Sequence, residues 1–122
     1  MDTPETLAAD MVKAARLVVT ETIAVVAKGA LNIKNDARKN VEASAPIHNA
    51  HAAQAITYDT KYQGSSVMAE IGYDKAKRGG SLGNILEYGS AHNPAHRDLG
   101  RAADNEESRF GDAIVLMAEK LL

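Results

Sequence analysis

Histidine and serine side chains are the residues of this sequence with the best chance of doing chemistry, and their spacing favours none of the usual sites. The histidines form two close pairs, His48 with His51 and His92 with His96, which on a helix could share a metal ion. Both pairs lie beside prolines in loop-like sequence, no cysteine is present, and no His-Glu-x-x-His pattern occurs. Ser81 matches the letters of a Gly-x-Ser-x-Gly elbow within residues 79–83, but this stretch is predicted to be a mobile loop. We therefore expect no metal ion, no cofactor and no catalytic residue, and the chain is predicted not to be an enzyme.

A basic, glycine-rich stretch at residues 74–83 is the other candidate for contact with a ligand. It contains Lys75, Lys77 and Arg78 but lacks the Gly-x-x-x-x-Gly-Lys-Ser/Thr pattern of a phosphate-binding loop. The whole chain carries 14 basic and 16 acidic residues, so no overall positive field exists to hold nucleic acid. A solvated loop is the simplest interpretation. The alternative is contact with a partner surface, or with DNA through its backbone and without sequence preference.

Composition limits the elements that could position these residues. The chain has 122 residues, which favours one domain over residues 1–122, and 45% of them are apolar. It has four tyrosines, one phenylalanine and no tryptophan, so the core must be built from Ala, Val, Ile, Leu and Met. A self-sufficient monomer is therefore doubtful. No apolar run approaches the ~20 residues of a membrane span, and we expect no membrane partner.

The first third of the sequence predicts one long helix over about residues 4–44. Thr3 is a suitable N-cap, Pro4 suits the first helical position, and Pro46 requires the helix to stop before it. Such a helix is ~60 Å long, twice the ~30 Å width of a domain of this size. It must either break near Gly29 or project beyond its domain. Apolar residues outside its main stripe are predicted to contact other subunits. These predicted contact residues are Leu17, Ile23, Val25 and Leu31.

The rest of the sequence predicts a small sheet and a second helix. Alternating apolar residues predict a β-hairpin over about 55–73. The basic loop at 74–83 follows, then a short strand or helical turn at 84–89, and a C-terminal helix over about 97–122 in which Asp104, Glu106 and Glu107 are expected on a solvated face. The predicted fold is α+β, with a long N-terminal helix and a C-terminal helix packed on a small antiparallel sheet.

A short motif precedes the last helix. Its residues are Glu87, Tyr88, Gly89 and Ser90, followed by Pro94 and His96. Together with the order of elements, this motif resembles the siphophage tail-completion family, the gene-product-ten-like head–tail joining proteins of tailed phages. Two positions depart from the family pattern. Pro46 is followed by Ile47 where a threonine-glycine is common, and Arg97-Asp98 stands where a bulky apolar pair is common.

The resemblance implies a structural role in the virion. Proteins of this family are similar to ring-forming subunits, expected to be hexameric, at the phage neck. Their partners are the head-side connector or stopper and the tail tube or terminator proteins, and DNA passes through the ring without specific binding. The chain would assemble in the host cytoplasm and reside in the virion. The alternatives are a tail terminator or minor tail protein, or a small non-enzymatic adaptor or nucleic-acid-contacting protein.

Overall fold

The protein has an α+β fold, which a computed structural model describes over residues 3–44, 51–63, 66–91 and 94–121. Its elements in chain order are α1 (Pro4–Ser44), β1 (Ile56–Gln63), β2 (Ser66–Tyr73), a 3-10 turn (Gly80–Leu82), α2 (Gly83–Tyr88) and α3 (Asp98–Leu121). The predicted fold class is confirmed. The loop around Pro46, with His48, and the loop residue His92 lie outside the described residues.

Helix α1 is continuous over 41 residues, so the predicted break near Gly29 is wrong and the alternative, a projecting helix, is correct. The Oγ1 atom of Thr3 accepts a hydrogen bond of 3.1 Å from the Thr6 backbone N–H, as its predicted N-cap role requires. Gly29 has a packing role instead of a bending one. A Cβ atom at this position would lie 2.9 Å from Cδ2 of Phe110, so the glycine allows α3 to approach α1 closely.

Helix α3 runs antiparallel to α1 and covers only its C-terminal half. At one end of the contact, the Asn40 side-chain amide donates to the Asp98 carbonyl at 3.1 Å. At the other end, the Lys120 ammonium lies 3.2 Å from a carboxylate oxygen of Glu21. Because α3 has 24 residues and α1 has 41, the pairing ends near residue 20 of α1.

The β-hairpin lies along the same half of α1. Its strands pair in antiparallel register from Ile56 opposite Tyr73 to Gln63 opposite Ser66. The Arg38 guanidinium donates to the Ile56 carbonyl at 2.7 Å, which fixes the open end of the hairpin on α1. Near the end of β1, Tyr62 lines a shallow hollow with Val12, Ala15 and Val19 of α1. The Tyr62 side chain therefore reaches the N-terminal part of α1.

The piece at residues 84–89, for which strand and helical turn both fitted the sequence, is helical. It forms α2, and among the described residues the sheet has the two strands of the hairpin. Backbone hydrogen bonds tie α2 to the start of α3: the His96 N–H donates to the Leu86 carbonyl at 2.8 Å, and the Arg97 N–H to the Glu87 carbonyl at 3.2 Å. These bonds give α2 the role of fixing where α3 begins.

The hydrophobic core lies at the C-terminal end of α1, where the hairpin and α3 both start. Its buried members are small, as the shortage of aromatic residues predicts: Ala37, Val41, Ala52, Ala53, Ile56 and Ala102. Ile56 and Val41 are the largest apolar side chains that are fully buried. The core therefore occupies one end of a long helix and leaves the other end without packing partners.

Candidate functional site

The first part of α1, residues 4–20, is exposed along its whole length, and we call it the projecting segment. It extends about 25 Å at ~1.5 Å per residue, beyond the ends of both the hairpin and α3. Its large apolar side chains face solvent, with Met11 64%, Leu7 54% and Val12 50% exposed. A helix of this length is marginal in water unless its apolar face is buried.

The apolar residues of the projecting segment lie on one face. At about 100° per residue, they occupy roughly 140° of the helix circumference. This face consists of Leu7, Ala8, Met11, Val12, Ala15, Val18 and Val19. The opposite side carries Ala9 and Lys13, and Arg16 borders the apolar face. The segment is thus an exposed amphipathic helix, with the Tyr62 side chain beside Val12, Ala15 and Val19 of its apolar face.

An open apolar groove lies next to the covered half of α1, and we call it the α1 groove. Its volume is about 540 Å³. Val26, Ala30 and Ile33 of α1 form its floor, β2 forms one wall through Val67, Ala69 and Ile71, and α3 forms the other through Ala103 and Phe110. Asp104 and Glu107 stand on the α3 side. The groove exists because the hairpin and α3 both pack on α1 but diverge from each other.

The four α1 residues predicted as subunit contacts do not form one surface. Leu17 is 49% exposed but lies on the polar side of the projecting segment. Ile23, Val25 and Leu31 are half-buried in the part of α1 covered by its own hairpin and α3. The helical spacing of Leu7, Met11 and Val18 is readable in the sequence. Comparing the length of α1 with the shorter hairpin and α3 would have identified that stripe as the exposed one.

The basic residues lie at the opposite end of the molecule from the projecting segment. Lys75, Lys77 and Arg78 are exposed in a turn that follows β2, where the Asp74 carboxylate accepts a 2.9 Å hydrogen bond from the Ala76 N–H. None of the three basic side chains forms an ion pair within the described part of the chain. They are available to an external partner.

Glu87, the first residue of the motif that precedes the last helix, has a structural function. The Glu87 carboxylate is 7% exposed, and it accepts hydrogen bonds from the backbone N–H groups of Leu99 at 2.7 Å and Gly100 at 3.1 Å. It therefore caps the first turn of α3, where a negative charge also interacts favourably with the helix dipole. Gly89 ends α2 with φ of 80°, a conformation that favours glycine.

The other motif residues lie around this cap. Tyr88 is 78% exposed, Ser90 and Pro94 are exposed, and His96 is half-buried. The structure thus brings Glu87, Gly89 and His96 to the junction of α2 and α3. It leaves the Tyr88 ring on the surface, where it is available for a contact outside the chain.

A buried polar cluster lies beneath the junction, and sequence reasoning missed it. Asp98 is fully buried, with one carboxylate oxygen 2.8 Å from the Arg101 guanidinium and the other 3.8 Å from Nδ1 of His96. The Tyr73 hydroxyl is buried nearby and has no hydrogen-bond partner among the described residues. Burial, followed by the negative charges of Asp98 and Glu87, raises the pKa of the Tyr73 phenol above its ordinary value of 10.0.

Glu106 corrects the prediction of a solvated acidic face on α3. Asp104 and Glu107 are exposed, but Glu106 is 3% exposed. Its carboxylate accepts a 3.0 Å hydrogen bond from the Asn32 amide and lies 2.7 Å from the Arg109 guanidinium. The partner on α1 is distant in sequence, so local spacing does not reveal this burial.

Searches for other kinds of site give negative results within the described ranges. Over residues 3–44, 51–63, 66–91 and 94–121, no group of three or more potential metal-ligating side chains lies together. None of the helices in those ranges has the length and apolar character needed to cross a membrane. Comparisons with protein-family models, with curated proteins and with solved structures find no match to this chain.

Proposed function

We propose that this protein is a non-enzymatic structural subunit of the phage neck, where a homo-oligomeric, hexameric ring joins the tail tube to the head-side connector. The observation that carries the proposal is the projecting segment, an exposed amphipathic helix that extends beyond every element packed on α1. Burying a large apolar side chain stabilises by about 1.5–3 kcal/mol, so five exposed on one face favour association strongly.

The assignment to the neck is supported by the motif around Glu87. In this chain Glu87 caps α3 and fixes the position of the last helix on α1. A motif that sets the geometry of a subunit is consistent with a family defined by assembly. The net charge of −2 also suits a ring that lets DNA pass without gripping it. The basic turn at residues 74–79 would face a neighbouring ring or the passing DNA.

The oligomeric state is tested by analytical ultracentrifugation at micromolar concentration. We expect the unmodified chain to sediment as a ring and the variant Met11→Glu to sediment as a monomer, because a carboxylate would be desolvated in the interface. Ala9→Glu is the matched control, since it adds the same charge about 160° away on the polar side of the same turn. A monomeric unmodified chain would overturn the proposal.

The neck role is tested separately by locating the protein in particles. Gold-labelled antibodies raised against the whole unmodified chain are expected to bind at the junction of head and tail. A label along the tail shaft, at the distal tip, or absent from intact virions would contradict the neck assignment even if the protein forms rings.

A further inference from the structure

We propose that the projecting segment of one copy docks into the α1 groove of the neighbouring copy. The inference rests on the homo-oligomer of the proposed function and names the two surfaces that form its interface. The occupant of the groove is an amphipathic helix already present in the chain, and its apolar face is otherwise exposed.

The shape of the groove suits a helix. The hairpin and α3 both follow α1 and diverge from each other, which leaves a channel parallel to the α1 axis between two walls. The floor and walls are apolar and include Ile33, Ile71 and Phe110. A helix laid between β2 and α3 would pack against β2, α3 and α1. The core of a single chain is made largely of alanines and does not fill the space between these three elements.

The chain cannot fill its own groove with this segment. At about 100° per residue, the apolar face centred near Met11 continues along the same side of α1 to Val26 and Ile33 in the groove floor. Because α1 is one continuous helix, the segment points away from the groove that it adjoins and cannot fold back into it. A segment and a groove that both need covering, on one side of one helix, are satisfied only by another copy.

Arg16 of the projecting segment has the charge opposite to that of the α3 side of the groove. The α3 side of the groove carries the exposed acids Asp104 and Glu107. Asp104 lies 3.8 Å from the Arg97 guanidinium, and Glu107 makes no ion pair within the described residues. The projecting segment carries exposed Arg16 at the edge of its apolar face, without an ion pair among the described residues, whereas Lys13 lies on the opposite side. Pairing across the interface would orient the docked helix.

Cysteine cross-linking tests the docking, since the chain contains no cysteine of its own. Two single-cysteine variants are mixed, one with Met11→Cys in the segment and a tag, the other with Ala103→Cys in the groove wall. Any bond between them is intermolecular. We expect a mixed cross-link to form on the order of a hundredfold faster than in control mixtures, because docking raises the effective concentration of the pair to the millimolar range.

The controls move each cysteine off its surface. Ala9→Cys replaces Met11→Cys on the polar side of the segment, and Asn105→Cys replaces Ala103→Cys on a different face of α3. Native mass is recorded on the same samples. Equal rates in all four mixtures, or Met11→Cys linking only to itself, would overturn the docking while an intact ring leaves the proposed function standing. A fast mixed link in a dimer would support the docking and overturn the ring. A monomer would overturn both.

Discussion

The two halves of α1 have similar patterns of apolar residues, but one half is packed against other elements and the other half is exposed to solvent. Both halves carry small and β-branched apolar residues at helical spacing. In the C-terminal half, the buried positions include Ala37 and Val41, which contact the hairpin and α3. In the N-terminal half, Val12 and Val19 occupy the same side of the helix and are about half exposed. The difference lies in what the rest of the chain supplies, since α3 ends near residue 20 and the hairpin reaches the N-terminal half through the Tyr62 side chain.

The comparison also explains why the packed half suffices to hold the fold. Small side chains such as Ala30, Ala37 and Ala102 let α1 and α3 approach closely, and Gly29 accommodates the Phe110 ring. Polar contacts such as Glu87 with α3 and Arg38 with β1 then fix the elements on the helix. Because the packed side chains are small and few, little apolar surface of the hairpin and α3 is left to cover residues 4–20. The uncovered half is therefore free for contact between copies.

The largest expected effect contrasts Ile56 of β1, in the core packed on the C-terminal half of α1, with Met11 of the N-terminal half. Ile56→Ala, which empties the largest apolar site of the core, should lower the free energy of unfolding by about 2–5 kcal/mol. Met11→Ala, at a site 64% exposed, should change it by less than about 0.5 kcal/mol in dilute solution. Urea denaturation of both variants over a dilution series measures the two effects.

Protein concentration separates folding from association in this experiment. The loss for Ile56→Ala should be similar at every concentration, whereas a loss for Met11→Ala should appear only where the unmodified chain is oligomeric. A large loss for Met11→Ala in dilute solution would mean that the projecting segment contributes to the monomer fold, and the contrast between the halves would be wrong.

A smaller effect is expected at the junction that fixes α3 on the packed half. Glu87→Gln keeps the size of the side chain, but the amide can accept a hydrogen bond through one atom only and brings an N–H group toward the remaining backbone donor. We expect a loss of about 1–3 kcal/mol in the free energy of unfolding by urea.

The control for this variant is Glu107→Gln, which makes the same chemical change on an exposed part of α3 and should cost less than about 0.5 kcal/mol. Equal, small effects of the two substitutions would show that the Glu87 cap does not hold the packed half together, although the motif would remain close to it in space.

The sequence predicts the elements well and their surroundings less well. Helical and alternating spacing are local properties, so α1, the hairpin and α3 are readable from single segments. The burial of Asp98 and Glu106 depends on Arg101, Arg109 and Asn32, and the last of these is on another helix. The exposed stripe of residues 4–20 is visible as a pattern. Its lack of a partner follows only from where the hairpin and α3 end.

The smallest expected effect concerns an imperfection inside the packed half. The Tyr73 hydroxyl is buried without a partner in the part of the chain that the structure describes, which costs free energy, so Tyr73→Phe should raise the free energy of unfolding by about 1 kcal/mol at pH 7. Above pH 10.0 the unfolded chain loses the phenolic proton, while the folded chain, with its raised pKa, retains it. The unmodified protein should therefore lose stability as pH rises through this range.

The slope due to this residue is at most about 1.4 kcal/mol per pH unit, and less to the extent that the partly exposed ring is screened by solvent. Lysine deprotonation acts on both proteins, so the difference between Tyr73→Phe and the unmodified chain in urea denaturation at pH 7 and above pH 10 isolates the phenol. If both proteins lose stability equally at high pH, folding does not raise the pKa of the phenol. If Phe lowers stability at pH 7, the hydroxyl has a partner. Even the packed half of the molecule then depends on a contact that its own described residues do not provide.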